Sequence, residues 1–226
     1  LTGKELDGLL ADCAPRVTVY GEESAETLAA LSASGVGRTV KMEDVEPFLT
    51  RPVGAESGPD AKRVDLEQPV MVLYTSGTTG HPTGAIITQR MLLWNAINTG
   101  LRLDLRSTDH TQSYAPFFHT GGWNVLFTPF LLHGASHTVL ESFDATRVLE
   151  LMQEESTTII FGVPTMLQMM ADAPGLDAPN LESVRYAIVG GAPMPLPLID
   201  RWHAKGVRIR QGYGLTEVGP NCFSLH

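Results

Sequence analysis

The feature that most constrains the fold is an alternation, kept up along most of the 226 residues, of short β-rich runs with stretches of helical period. The β-rich runs are Val17–Tyr20, Val70–Tyr74, Ala85–Thr88, Ser136–Leu140, Thr158–Phe161, Tyr186–Val189 and Val207–Gln211. Between them, Lys4 to Asp12 places Leu6, Leu9 and Leu10 on one stripe, and Thr88 to Leu101 opens on a hydroxyl N-cap. Asp144 is positioned to cap a helix reaching about Glu154, and Pro164–Ala171 and Leu196–Ala204 complete the set. Parallel strands need a crossover between them, and a helix supplies it. The expectation is therefore an α/β fold, a mostly parallel β-sheet flanked by helices. Glu43 to Gln68 holds the Pro- and Gly-rich RPVGAESGP and keeps no sustained period, so it reads as a surface crossing between a leading subregion, residues 1–68, and a core, residues 69–226.

Composition narrows the partners. With 43% hydrophobic and 18% charged residues, the chain has the balance of a globular protein able to bury a core. Lys and Arg total 16 against 25 Asp and Glu, a net charge of -9, which leaves no basic stripe for a nucleic-acid backbone. No apolar run approaches the roughly 20 residues of a transmembrane segment, and the opening LTGKELDGLLADCAP is too acidic for a signal peptide. A cytoplasmic setting is expected. Cys13 and Cys222 lie far apart with no CxxC spacing, so neither a disulfide framework nor a zinc site is indicated and two buried thiols are expected.

Four stretches carry chemistry. Tyr74 to Gly84, YTSGTTGHPTG, follows an apolar strand and gathers Thr75, Ser76, Gly77, Thr78, Thr79 and Gly80 into one loop. Glycines let backbone amides approach an anion, and hydroxyls donate to phosphate oxygens. The spacing is not that of a Walker A loop, and Tyr74 breaks the elbow a serine hydrolase would need around Ser76. On residue types alone, a phosphate cradle and a plain polar loop both remain open. Gln211-Gly212-Tyr213-Gly214-Leu215-Thr216-Glu217 offers an aromatic face for a base, a hydroxyl for phosphate and a carboxylate for Mg²⁺, or else a Gly-rich turn with a solvated glutamate. Ile188 to Pro195, IVGGAPMP, leaves a strand through glycines, either to lay adenine against bare backbone or simply to turn tightly. Tyr114 to Trp123, YAPFFHTGGW, surrounds His119 with aromatics, fit either to wall an acyl pocket or to bury a hydrogen-bonded histidine.

Taken together and in order, these stretches resemble the adenylate-forming superfamily of acyl-CoA synthetases, luciferases and peptide-synthetase adenylation domains. YTSGTTGHPTGA resembles the phosphate loop, APFFHTGGWN the aromatic acyl-pocket motif, VGGAPMP the adenine-contacting strand end and QGYGLTE the nucleotide and magnesium motif. The joining segments, FDATRVLELMQEESTTIIFGVPTMLQMM among them, are similar to the fatty-acyl-CoA ligase branch. The resemblance implies part of an acyl-CoA synthetase-like large domain and a two-step ligation. A carboxylic acid, expected to be a fatty acid, is activated by ATP with Mg²⁺ and then passed to coenzyme A. It further implies that Thr75 to Gly80 bind pyrophosphate, Thr216 the α-phosphate and Glu217 the metal. Gly191, Ala192, Pro193 and the Gln211, Gly212, Tyr213, Gly214 run would hold adenine, while His119, Gly121, Gly122, Trp123, Val163 and Pro164 border the acyl group. His119, Thr216 and Glu217 are the expected catalytic set.

The sequence departs from the resemblance at Thr83, which stands where the family's loop usually has lysine and removes a positive charge beside the triphosphate. Weakened or altered phosphate handling is the expectation. The chain opens at Leu1 without a methionine and closes at His226 soon after its densest motif, so it reads as cut from a longer protein. The family's C-terminal domain and catalytic lysine would lie beyond it, and 226 residues alone are expected to catalyse slowly or not at all.

Overall fold

The computed structural model describes residues 3–31, 35–49, 64–76, 82–174 and 181–225. It divides into two compact units, Leu1–Val64 with Tyr74–Gly84, and Asp65–Leu73 with Ala85–His226.

The first unit runs α1 (Gly3–Cys13), β1 (Val17–Tyr20), a 3₁₀ turn (Glu22–Ser24), α2 (Ala25–Ala29), β2 (Arg38–Lys41) and α3 (Met42–Leu49). β1 and β2 pair in parallel from Val17 opposite Arg38 to Tyr20 opposite Lys41. The stretch read from Glu43 onward as a surface crossing with no sustained period opens on α3, helical even though Pro47 sits inside it. Proline in a helix interior removes a donor, and that penalty is what hid the element in the sequence.

β3 (Pro69–Thr75) and β4 (Thr83–Thr88) form a two-stranded sheet of their own. The rest of the second unit continues α4 (Gln89–Leu103), β5 (His110–Ser113), α5 (Thr120–Asn124), α6 (Phe127–His133), β6 (Ser136–Val139), α7 (Ala145–Glu154), β7 (Ile159–Gly162) and α8 (Pro164–Asp172). It ends with β8 (Tyr186–Val189), α9 (Leu196–Ala204), β9 (Ile209–Gly214), a 3₁₀ turn (Thr216–Val218) and β10 (Asn221–Ser224). The two expected caps are made: Thr88 accepts a hydrogen bond from the Met91 amide at 3.3 Å, and Asp144 accepts one from the Arg147 amide at 2.7 Å.

The main sheet has the order β10-β9-β8-β7, parallel through β7, β8 and β9 with β10 antiparallel at its edge. β5 and β6 form a further parallel pair. Successive side chains on a strand point to opposite faces, and here each face finds its own helices. Ile160, Ala187 and Val189 enter a core with Val148, Met152, Leu167, Met170 and Trp202, from α7, α8 and α9. Ile159, Tyr186 and Ile188 enter a second core with Leu103, Val125, Leu126 and Phe130. A sheet covered on both sides explains why β8, Tyr-Ala-Ile-Val, is apolar at every position and wholly buried.

Among the described residues, three strands were not visible in the sequence: β2, β5 and β10. β5 reads His-Thr-Gln-Ser, yet Thr111 and Gln112 are buried, because their polar atoms meet partners rather than water. Gln112 Nε2 donates to Thr157 Oγ1 at 2.5 Å and to Glu155 Oε2 at 3.2 Å. The cysteine expectation is also corrected. Both thiols belong to exposed residues, Cys13 on the last turn of a helix with no buried residue and Cys222 on the sheet's edge strand.

On β6, His137 is held as a neutral ring. Its Nδ1 lies 2.9 Å from Ser113 Oγ and its Nε2 lies 3.2 Å from the Phe127 carbonyl. Since the carbonyl can only accept, Nε2 carries the proton and Nδ1 receives the hydroxyl. Burial lowers the pKa to about 4; the Phe127 bond opposes this and the charge of His110 adds to it. An unfolded histidine takes up its proton near pH 6.5, well before the folded one, so stability is complete above that value and falls as pH drops toward 4. Denaturation midpoints measured from neutral pH downward should decline across this window, and a His137→Asn variant should flatten the decline.

Candidate functional site

In open α/β sheets the loops at the carboxyl ends of the strands form the binding crevice. The second unit has a cleft of about 320 Å³ there. One wall comes from the segment after β5, with Pro116, Phe118, His119, Gly121 and Gly122. Phe161, Val163 and Met166 come from the end of β7 and the start of α8. Gly190 and Gly191 follow β8, while Gly212, Tyr213 and Gly214 end β9. Three of the four stretches singled out in the sequence therefore meet at one cleft.

Local physics explains each contribution. His119 is the N-cap of α5, its Nδ1 accepting from the Gly121 amide at 3.0 Å. That bond places the neutral ring's proton on Nε2. The buried-histidine alternative does not hold, since the residue is exposed. A Cβ on Gly122 would stand 2.5 Å from the Pro116 carbonyl oxygen, so only glycine lets this turn close on itself. Gly191 has φ +80, where L side chains are strained, and a Cβ there would meet Val163 at 3.4 Å.

Gln211, grouped with adenine in the sequence reading, is occupied elsewhere. Its Nε2 is within 3.1–3.2 Å of the carbonyls of Val189, Ala192 and Gly212, and its Oε1 accepts from the Met194 amide at 3.0 Å. It braces the Gly190 to Met194 turn, leaving Ala192 and Pro193 exposed at the surface. Tyr213 is 56% exposed, with Phe223 stacked 6.1 Å away on one side, so a ring face remains open to a ligand. Trp123 packs edge-on against Phe117 at 4.8 Å and Phe127 at 5.7 Å instead of lining the cleft, and Pro164 begins α8. Thr216 and Glu217 open the 3₁₀ turn after β9; Thr216 is half-buried and Glu217 exposed, with no ion pair among the described residues.

Of the phosphate-loop candidates, Thr75 ends β3 with its hydroxyl donating to the Thr83 carbonyl at 3.4 Å, and Ser76 follows it, exposed. Beside them Tyr74 donates to Asp12 Oδ2 at 2.5 Å. Gly77, Thr78, Thr79 and Gly80 lie outside the described residues. Thr83 is exposed on β4.

Sequence reasoning missed a polar network behind the cleft, buried at Asn95, Thr99, Thr120 and Asn124 and reaching the surface at Asn221. Asn221, which lines the cleft, donates through its amide to Asn95 Oδ1 at 3.2 Å and through Nδ2 to Thr99 Oγ1 at 2.8 Å. Asn95 in turn donates to the Asn124 carbonyl at 2.7 Å, and Asn124 to Thr120 Oγ1 at 3.3 Å. These bonds tie the first residue of β10 to α4 and α5. The available signal was Asn95 and Thr99, polar residues four apart on one helix face otherwise bounded by Ala96, Gly100 and Leu103.

The fold and the cleft define an α/β ligand-binding domain with glycine-lined strand ends. Within that class the chain belongs to the AMP-binding enzyme family, whose model matches residues 1–226. It is 37% identical to a feruloyl-CoA synthase of Amycolatopsis over 221 residues, 98% of this chain and 43% of that protein. It is 33% identical to the long-chain-fatty-acid–CoA ligase FadD13 of Mycobacterium tuberculosis over 223 residues, 96% of this chain and 43% of that one. The inhibitor-bound crystal structure of the N-terminal domain of FACL13 from Mycobacterium tuberculosis superposes with a TM-score of 0.85 at 30% identity, covering 96% of this chain and 55% of that one. The chain thus spans less than half the length of the curated relatives it matches. Among the described residues no helix is long and apolar enough to cross a membrane, and no group of three potential metal-ligating side chains is present.

Proposed function

We propose that the protein carrying this chain activates a carboxylic acid with ATP as an acyl-adenylate and then transfers the acyl group to coenzyme A. The observation that carries the reading is the meeting of His119, the Gly190-Gly191 strand end and Gly212-Tyr213-Gly214 around one cleft with an apolar floor. The CoA-ligase names of the relatives support the thioester step.

In this reading a carboxylate oxygen attacks the α-phosphorus of ATP as the bond to pyrophosphate breaks. The thiol sulfur of coenzyme A then attacks the acyl carbon, gives up its proton, and AMP leaves. Such steps depend on positioning and on neutralising charge. His119 offers Nε2–H to the acid carboxylate, and its cap on α5 fixes the ring. Tyr213 stacks on adenine while Gly191 and the Ala192-Pro193 turn, held by Gln211, give it bare backbone. Thr216 donates to the α-phosphate, and the Thr75 to Gly80 loop holds the pyrophosphate portion. Gly121, Gly122 and Val163 border the acyl group; Trp123 and Pro164 support that wall from behind.

Magnesium commonly binds through one or two carboxylates together with substrate phosphates and water, so the exposed Glu217, with no ion pair among the described residues, suits it without a full protein cage. When bound, Mg²⁺ neutralises phosphate charge. The acid is an apolar one, and the likeness to a long-chain ligase supports the fatty-acid expectation. We also place the chain in the large N-terminal domain, with residues 1–68 leading and 69–226 forming the nucleotide and acyl core, in a cytoplasmic enzyme. A second reading, a non-catalytic nucleotide- or acyl-binding module, draws on Thr83, whose uncharged side chain replaces the usual lysine of the loop.

Exchange of labelled pyrophosphate into ATP, run with a panel of fatty and aryl acids, tests the proposal. It should be done on the complete gene product and on this 226-residue chain side by side. Acid-dependent exchange by the complete product is the expected result, with little or none from the 226 residues alone. No exchange by either, with nucleotide still bound, would transfer the case to the binding module.

A further inference from the structure

Resting on that reading, we infer that Asn95 is a positioning residue for the adenylation step, one side chain that keeps the acid-facing and nucleotide-facing sides of the cleft aligned. It lies on α4, 6% exposed, and both ends of its amide are used. The Asn124 carbonyl only accepts and the Asn221 amide only donates, so Nδ2 faces α5 and Oδ1 faces β10. The bond to α5 meets a need of that helix. Its last carbonyls have no intrahelical partner, and Asn95 supplies one to Asn124, the final residue, at 2.7 Å. Asn124 is fully buried; its Nδ2 donates to Thr120 Oγ1 at 3.3 Å and its Oδ1 accepts the Thr128 hydroxyl at 3.2 Å. Fixing Asn124 therefore fixes the five-residue helix whose N-cap is His119.

On the other side, Asn95 Oδ1 accepts the Asn221 amide at 3.2 Å. Asn221 pairs with Gly214 where β10 returns along β9, and between them runs the loop that carries Thr216 and Glu217. The Leu215 amide closes the neck of that loop on the Pro220 carbonyl at 3.1 Å. The loop rests on the same turn of α4: at Gly219, φ +93, a Cβ would meet the Met91 carbonyl oxygen at 3.7 Å and Asn95 Cβ at 3.8 Å. Asn221 is exposed, yet its side chain is tied one turn further along α4, Nδ2 donating to Thr99 Oγ1 at 2.8 Å. α4 is thus the common support, and Asn95 is the residue on it that bonds to both sides. Attack on the α-phosphorus needs carboxylate and phosphate held in line, and a misplacement of about 1 Å from a change remote from the chemistry costs up to about 10²-fold. In Asn95→Ala every group assigned to the acid and to ATP is still present, so binding persists while alignment is lost.

The test measures kcat, and KM for ATP and for acid, in pyrophosphate exchange by the complete gene product, with whichever of cinnamic and decanoic acid the parent turns over faster. Rates are read well below each variant's thermal midpoint, so that loss of folded protein is not counted as loss of rate. Asn95→Ala should lower kcat at least about tenfold and leave both KM values within about threefold, the pattern of an interaction realised in the transition state. Thr99→Val, which keeps the shape and removes the acceptor of the Asn221 side chain, should lower kcat by less. Thr99→Ser, which restores the hydroxyl, should match the parent. In a His119→Ala background the cost of Asn95→Ala should shrink to within about threefold, because no ring is left to align, whereas losses at independent sites add. Three results overturn the inference while leaving the ligase reading intact: kcat unchanged in both Asn95→Ala and Thr99→Val, a loss confined to KM, or the same loss with and without His119, which makes Asn95 a structural residue only. A parent with no acid-dependent exchange at all overturns the ligase reading and this inference with it.

Discussion

Replacing Asp109 with alanine is expected to cost about 3 kcal/mol of stability, the lower end of what removing one partner from a buried ion pair costs. Asp109 is 1% exposed. Its two carboxylate oxygens receive Arg185 Nη1 at 2.8 and 2.7 Å, the Thr158 hydroxyl at 2.8 Å and the Arg106 amide at 2.8 Å. One side chain thus joins the start of β5 to the starts of β7 and β8. Without it, the Arg106 amide and Arg185 Nη1 lose this acceptor and the Thr158 hydroxyl keeps only the His110 carbonyl at 3.3 Å, and unsatisfied buried groups carry their full desolvation cost. The lower end is chosen because Arg185 keeps a second partner, Nη2 donating to the Asp104 carboxylate and carbonyl, both at 2.8 Å. Asp109→Asn, which preserves shape and one acceptor, should lose less. Denaturant unfolding of the three proteins checks this. A midpoint for Asp109→Ala matching the parent would mean that water, and not the carboxylate, serves these donors.

The second large effect falls on chemistry and leaves stability alone. Glu217→Gln is expected to lower acid-dependent pyrophosphate exchange by about 10²–10³-fold, the usual loss when one preorganised electrostatic group is removed from a reaction that develops charge. Because the side chain is exposed and makes no ion pair among the described residues, its unfolding midpoint should stay within about 0.5 kcal/mol of the parent. Glutamine keeps the size and one oxygen acceptor while losing the charge, so raising Mg²⁺ should restore part of the rate. A variant that exchanges as fast as the parent would take Glu217 out of the reaction. One that also unfolds early would show that the 3₁₀ turn depends on this side chain.

The contrast between these two residues separates what each level of description reveals. Glu217 stood out in the sequence because glycines, a tyrosine and a threonine precede it in one short run. Asp109 did not, since a single aspartate before His-Thr-Gln-Ser gives no period and no motif. Its role depends on Arg185, 76 residues away, and pairing over that separation is decided only when β5, β7 and β8 come to lie side by side.

The sequence by itself determined the alternation of strands and helices, both helix caps and the glycine-marked strand ends, because these depend on neighbours within a few residues. Side-chain period and cap chemistry are local, and β8 and α9 match their expected limits residue for residue. Only the tertiary structure decided which of the marked residues line the cleft. It turned Gln211 inward to brace a turn, set Trp123 among aromatics, and exposed two cysteines expected to be buried. It also brought Asn95, Thr99, Asn124 and Asn221 together as one network. A polar side chain can be spent on a carbonyl, on another side chain or on a substrate with the same chemistry, and which of these it meets is fixed by packing between elements distant in the chain.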